Sequence, residues 1–125
     1  MASKYTLKIV TDFASAHTLR DYPGACSRMH GHNWKVELEL ESTHLNEIGM
    51  AVVFKAMNQA TTEICDRLDH RYSNEKEPFT EINPSSENVA KWLFDSIKKK
   101  IDDKNVSCSS VTVWESESSS ATYFE

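Results

Sequence analysis

The sequence predicts an α+β fold, an antiparallel sheet of four strands with two helices packed on one face. Three observations point to it. Two long stretches near the N-terminus alternate apolar and polar residues, two later segments repeat apolar residues at helical spacing, and a β-branched segment lies near the end. The 125 residues, 39% hydrophobic and 26% charged, suit a single domain spanning 1–125, with no room for a separate cofactor domain.

Tyr5 to His17 reads as the first strand, because Leu7, Ile9, Thr11 and Phe13 occupy alternate positions and His17 shares their parity. The stretch TLRDYPGACSR follows as a loop, marked by the Pro23-Gly24 turn signal. A second strand begins near Met29 and continues through WKVELELE. Val36, Leu38 and Leu40 there alternate with Lys35, Glu37, Glu39 and Glu41, giving one apolar and one charged face. From Phe54 to Leu68, the residues Phe54, Met57, Thr61, Ile64 and Leu68 recur at helical spacing, with Cys65 beside the stripe as a partly buried thiol. Asn83-Pro84-Ser85 opens a second helix, with Ser85 as N-cap and Val89, Trp92, Leu93, Ile97 and Ile101 toward the core. Lys98 to Lys100 then face the negative end of that helix. The last strand runs from Val111 to Glu115, the serines around Ser118 form a turn, and Tyr123-Phe124 adds a short edge. Open sheet edges give so small a domain a physical motive to join copies of itself.

Composition excludes several classes. No apolar run approaches the roughly 20 residues that cross a bilayer, and MASKYTLKIV lacks the apolar core of a signal peptide, so a cytoplasmic protein with no membrane contact is expected. A formal net charge of -5 and dispersed basic residues offer no surface for nucleic acid. Cys26, Cys65 and Cys108 are odd in number and widely spaced, which argues against a disulfide framework.

The segment Cys26-Ser27-Arg28-Met29-His30-Gly31-His32 carries the most chemistry. On an extended chain His30 and His32 project from one face about 7 Å apart, close enough for two imidazoles to converge on one ion, and Gly31 leaves the patch uncrowded. His17 from the neighbouring strand would complete a tripod of neutral nitrogens suited to zinc. Three protein ligands leave a fourth position for water or substrate. Cys26, four residues before His30, would instead make a closed structural site if it were the fourth ligand, and the spacing leaves open both arrangements and a coincidental histidine pair that holds no metal. Asp69-His70 adjoin the end of the first helix, where the helix dipole favours an imidazolium and the carboxylate can orient it as a proton shuttle; a surface histidine at a helix end is the plainer alternative. Glu115 ends the last strand, where a solvated glutamate is the plainer reading, and its carboxylate can accept two parallel N–H bonds from the amino-pyrimidinone edge of a pterin or guanine. His44 has no such company.

Taken together and in this order, these residues resemble the 6-pyruvoyl-tetrahydropterin synthase and 6-carboxytetrahydropterin synthase family. The resemblance spans nearly the whole chain: DFASAH, CSRMHGHNWKVELEL, IGMAVVF, LDHRYSN, NPSSENVA and VTVWES. It implies zinc on His17, His30 and His32, Cys26 as the base that abstracts a proton, Asp69 and His70 in the catalytic relay, and Glu115 as pterin anchor and relay member. It also implies the tunnelling fold, in which three subunits close their sheets into a barrel, two trimers stack into a hexamer and active sites lie between subunits. The short interval from Cys26 to the HGH motif is similar to the bacterial 6-carboxytetrahydropterin synthases. Those enzymes convert 7,8-dihydroneopterin triphosphate to 6-carboxy-5,6,7,8-tetrahydropterin, releasing acetaldehyde and triphosphate, on the way to the 7-deazaguanine precursor of queuosine. The pyruvoyl branch, which eliminates triphosphate without carbon-carbon cleavage, and a non-catalytic zinc-stabilised pterin-binding module are the alternatives. Two positions depart from the family pattern: Val53 stands where an acidic residue is common, and Ser73 where leucine is frequent.

Overall fold

The computed structural model describes residues 4–24, 27–101 and 105–125. Strand β1, Tyr5–His17, and strand β2, His30–Ser42, form a long antiparallel hairpin. Helix α1 covers Phe54–Cys65, β3 is the two residues Arg71–Tyr72, and α2 covers Ser86–Ile101. Strands β4, Val106–Ser116, and β5, Ser119–Phe124, complete one sheet in the order β3-β1-β2-β4-β5.

The α+β layout with two helices stands, but among the described residues the sheet has five strands and not four. β3 pairs in parallel with β1 at Ser15 and Ala16 only, too short for any alternation to register in the sequence. The last long strand also begins earlier than Val111. A register shift between Glu39 and Leu40 switches its inward residues from Val106 and Cys108 to Val111 and Val113, so the parity breaks in mid-strand. α1 stops at Cys65, with Asp66 as C-cap, and Leu68 reaches the core from the following turn. Phe54 is half exposed and not a core residue.

The apolar rows of β1, β2 and β4 meet Ile64 and Leu68 from the α1 side and Val89, Leu93, Phe94 and Ile97 from α2, forming one buried core. Burial of this size supplies the main drive to fold, at about 25 cal/mol per Å² of apolar surface. The opposite sheet face is polar: Glu37 pairs with Lys8 at 3.5 Å and Lys35 at 3.2 Å, and accepts a bond from Trp114 Nε1. The two helix starts differ. Ser85 Oγ accepts the Asn88 amide, a working N-cap, whereas Val53 offers α1 no side-chain bond. Ser73 is buried against Ser15, the two hydroxyls 2.6 Å apart, which gives this small polar residue a satisfied place in the interior.

Candidate metal centre

Register places the histidines. Each residue of β1 from Tyr5 to His17 faces one of β2 from Ser42 to His30, so His17 lies directly opposite His30. His32, two residues along β2, points to the same helix-side face. On the other flank of β2, Lys35 pairs with Trp114, and Glu115, one residue further along β4, turns its side chain to the histidine side. Four ligand atoms, one each from His17, His30, His32 and Glu115, therefore lie within 4.8 Å of one another. Trp34 continues the parity of His30 and His32 and underlies the group, its ring centroid 5.0 Å from His17 and 5.5 Å from His32. The indole itself is fixed by donation from Nε1 to the Ser15 carbonyl.

Tautomer and orientation follow from hydrogen bonds. A carbonyl only accepts, so His17 Nδ1, 2.7 Å from Pro84 O, and His30 Nδ1, 2.7 Å from Arg28 O, must each carry their proton there. In the neutral ring Nε2 is then a bare lone pair. Burial lowers the pKa of His17 and of His32 below the ordinary histidine value, favouring those neutral rings. Yet His17 Nε2 and His30 Nε2 are 2.9 Å apart, and Glu115 Oε1 stands 3.1 Å from His17 Nε2 and 3.0 Å from His32 Nε2. His32 Nε2 is buried and makes no hydrogen bond of acceptable geometry, despite that nearby oxygen. Lone pairs crowded together repel unless a cation sits among them. Ligands about 2.0 to 2.1 Å from a tetrahedral zinc would be roughly 3.3 Å apart, close to the shorter separations here. The three imidazoles thus fit a zinc-type ion, and the two carbonyls serve as the outer partners that orient metal-binding histidines.

The carbonyl of Pro84 is itself held in place by a loop clasp. Thr18 N donates to Asn74 Oδ1 and Asn74 Nδ2 to Thr18 O, while Arg20 N donates to Asn83 Oδ1 and Asn83 Nδ2 to Arg20 O. The Arg20 guanidinium adds bonds to the Phe79 and Ile82 carbonyls. Sequence reasoning missed this clasp, the Pro84 and Arg28 carbonyls, and Trp34. Only Trp34 left a signal, its shared parity with the two histidines.

The other expected residues do not all join the cluster. Cys26 lies outside the described residues. Asp69 and His70 stand apart from the four converging groups: His70 flanks a cleft of about 480 Å³ lined also by Ala14, Ala16, Gly31, His32 and Asn33. Asp69 Oδ1 accepts the Ala14 amide at 2.8 Å, and Oδ2 lies 3.0 Å from His70 Nδ1. The Ala14 amide, and then His70, hold the Asp69 carboxyl below the usual carboxylate range. His70 adopts φ 57°, in the left-handed region, with its amide donating to the Ala14 carbonyl. It follows the C-cap of α1, with the Asp69 amide donating to the Cys65 carbonyl at the helix end, and its close partner is Asp69. Cys65 is an inert contrast, its thiol pushed up to about 12 by burial and then by Asp66, Asp69 and Asp12.

A sequence model described as 6-pyruvoyl tetrahydropterin synthase matches residues 6–125. The 6-carboxy-5,6,7,8-tetrahydropterin synthase of Synechocystis sp. strain PCC 6803 is 31% identical over 118 residues, covering 90% of this chain and 87% of the relative. That of Bacillus subtilis strain 168 is 29% identical over 117 residues, 88% and 78% of the two chains. The solved 6-pyruvoyl tetrahydropterin synthase of Caenorhabditis elegans superposes with a TM-score of 0.87, covering 99% of this chain and 97% of that one, at 23% identity, and so shares the fold. With nearly every residue matched by the family and the histidine tripod assembled on this sheet, the chain belongs to the 6-pyruvoyl tetrahydropterin synthase family.

Proposed function

We propose that this chain is a zinc-dependent lyase that converts 7,8-dihydroneopterin triphosphate and one water to 6-carboxy-5,6,7,8-tetrahydropterin, acetaldehyde and triphosphate, in the cytoplasmic synthesis of the queuosine precursor. The observation that carries this reading is the meeting of His17, His30 and His32, whose ligand nitrogens lie within 4.8 Å of one another. The short Cys26-to-HGH spacing and the names of the Synechocystis and Bacillus relatives favour the carboxy branch over the pyruvoyl branch.

His17, His30 and His32 would hold the ion. Bound there, zinc supplies Lewis-acid polarisation of the substrate side-chain hydroxyls and lowers their pKa. Cys26 takes the proton from the neighbouring C–H as thiolate, and Asp69 orients His70 to relay it. Glu115 accepts hydrogen bonds from the pterin edge. His70 is among the most solvent-facing of these side chains, 82% exposed, and is not one of the four converging groups of its own chain. Its proposed counterpart is the cluster of a neighbouring subunit, in a barrel of three sheets and a hexamer of two such trimers. Two features support that assembly: the polar face of the sheet, and the outer edge of β1, which among the described residues is paired only at Ser15 and Ala16.

The test is incubation of the zinc-loaded protein with 7,8-dihydroneopterin triphosphate. Acetaldehyde and the 6-carboxy product are expected. Triphosphate release without acetaldehyde would assign the pyruvoyl branch, and no turnover at all would leave a pterin-binding module. Cys26→Ala should abolish turnover and keep its zinc; loss of the metal would make the thiol a ligand and overturn its role as base.

A further inference from the structure

The tripod reading leaves a fourth corner of the metal site open, but the protein has already placed an atom there. Glu115 Oε1 stands 3.1 Å from His17 Nε2 and 3.0 Å from His32 Nε2, so it occupies the corner that water or substrate would need. A carboxylate waiting only for a pterin edge has no reason to press its oxygen against the His17 Nε2 lone pair. The His32 contact is also not a hydrogen bond in direction. Convergence on a shared cation accounts for both facts.

We propose that Glu115 is the fourth ligand of the substrate-free metal centre and the one that substrate displaces. This rests on the zinc reading above and changes its resting state from open to closed. The four side chains are anchored unequally. His17 is fully buried with Nδ1 on Pro84 O, and His30 is fixed through Nδ1 on Arg28 O. Glu115 is 32% exposed, and its second oxygen receives only the Ser86 hydroxyl, at 3.3 Å. His32 Nε2 has no hydrogen-bond partner, yet Glu115, at 32% against 24% for His32 and 0% for His17, is the more exposed group. The carboxylate is therefore the member placed to yield to a ligand arriving from solvent. A ligand carrying neighbouring hydroxyls can take its corner, and the released carboxylate remains at the rim as an acceptor for the same molecule. In the resting protein the arrangement keeps bulk water off the ion.

The experiment compares metal-stripped, reloaded wild-type protein with Glu115→Gln and Glu115→Ala. Zinc affinity is read by competition with a chromophoric chelator. The cobalt(II) forms are then followed by visible absorption, azide titration and water-proton relaxation. Expected are zinc binding at least about tenfold weaker in both variants, an altered cobalt spectrum, and azide binding at least about tenfold tighter in Glu115→Ala than in wild type. Zinc affinities within twofold and superimposable cobalt spectra would overturn the proposal. Wild-type protein alone is also decisive, because fast relaxation from a directly coordinated exchangeable water excludes a closed corner whether or not the variants fold. Failure of wild type to bind zinc or cobalt would instead remove the zinc reading itself.

Discussion

The histidine cluster and the Asp69-His70 pair are both built from histidine and carboxylate, yet the fold treats them in opposite ways. His17 and His30 are each locked through Nδ1 by a backbone carbonyl, and the buried Trp34 closes the floor. Asp69 and His70 lie on a turn beside the β1 edge, with the imidazole 82% exposed. One site is finished within the chain, and the other is oriented but faces outward. The difference teaches that holding an ion requires several rigid donors in one place, which strand register provides. Orienting one exposed imidazole requires only one carboxylate and a fixed backbone.

The largest effect should come from His17→Ala. It removes a ligand, leaves the Pro84 carbonyl without its donor and opens a cavity beside Trp34, so zinc retention should be lost and the metal-free protein destabilised by about 2 to 4 kcal/mol. Chemical denaturation and metal analysis would check both. Destabilisation below about 0.5 kcal/mol would mean the cluster is less rigidly built than the comparison states.

His70→Asn should lower turnover by at least about a hundredfold while zinc content and Tm stay close to wild type, as suits an exposed residue outside the cluster. If the pair serves a neighbouring subunit, unfolding and refolding a mixture of His70→Asn and Cys26→Ala chains should restore part of the activity, since some sites then combine an intact Cys26 with an intact His70. Absence of any recovery in mixed oligomers would place the pair and the thiol in the same chain.

The smallest effect is on acid stability. His17 and His32 have folded-state pKa values below the ordinary 6.5, so below that pH the unfolded chain binds protons that the folded one resists. Stability of the metal-free protein is therefore fully present above about 6.5 and lost as pH falls from there toward the lowered folded values. Thermal scans between pH 7.5 and 5.5 should show Tm falling, with a shallower fall in His17→Ala. An equal slope in the two proteins would assign the acid sensitivity to other groups.

Much of this was legible in the residues. Alternation fixed the faces of β1 and β2, and the parity shared by His17 with Phe13, and by His30 with His32, already aimed three imidazoles at one side of the sheet. Ser85 announced its own cap. β3 escaped because two residues carry no period, and the start of β4 escaped because the bulge reversed its parity. The stripe from Phe54 to Leu68 overran α1, which ends at Cys65, because Leu68 keeps its place in the core from the following turn.

The sequence by itself determined the candidate donors: side-chain type and strand parity are local properties, and they put three histidines on one side of the sheet. Only the tertiary structure decided that Glu115 joins them and that the Pro84 carbonyl orients His17. These contacts span 98 and 67 residues of chain, and they exist because β4 packs beside β2 and the Arg20 clasp holds the loop before α2. Distances between segments so far apart are set by how whole elements pack, and no local pattern encodes them.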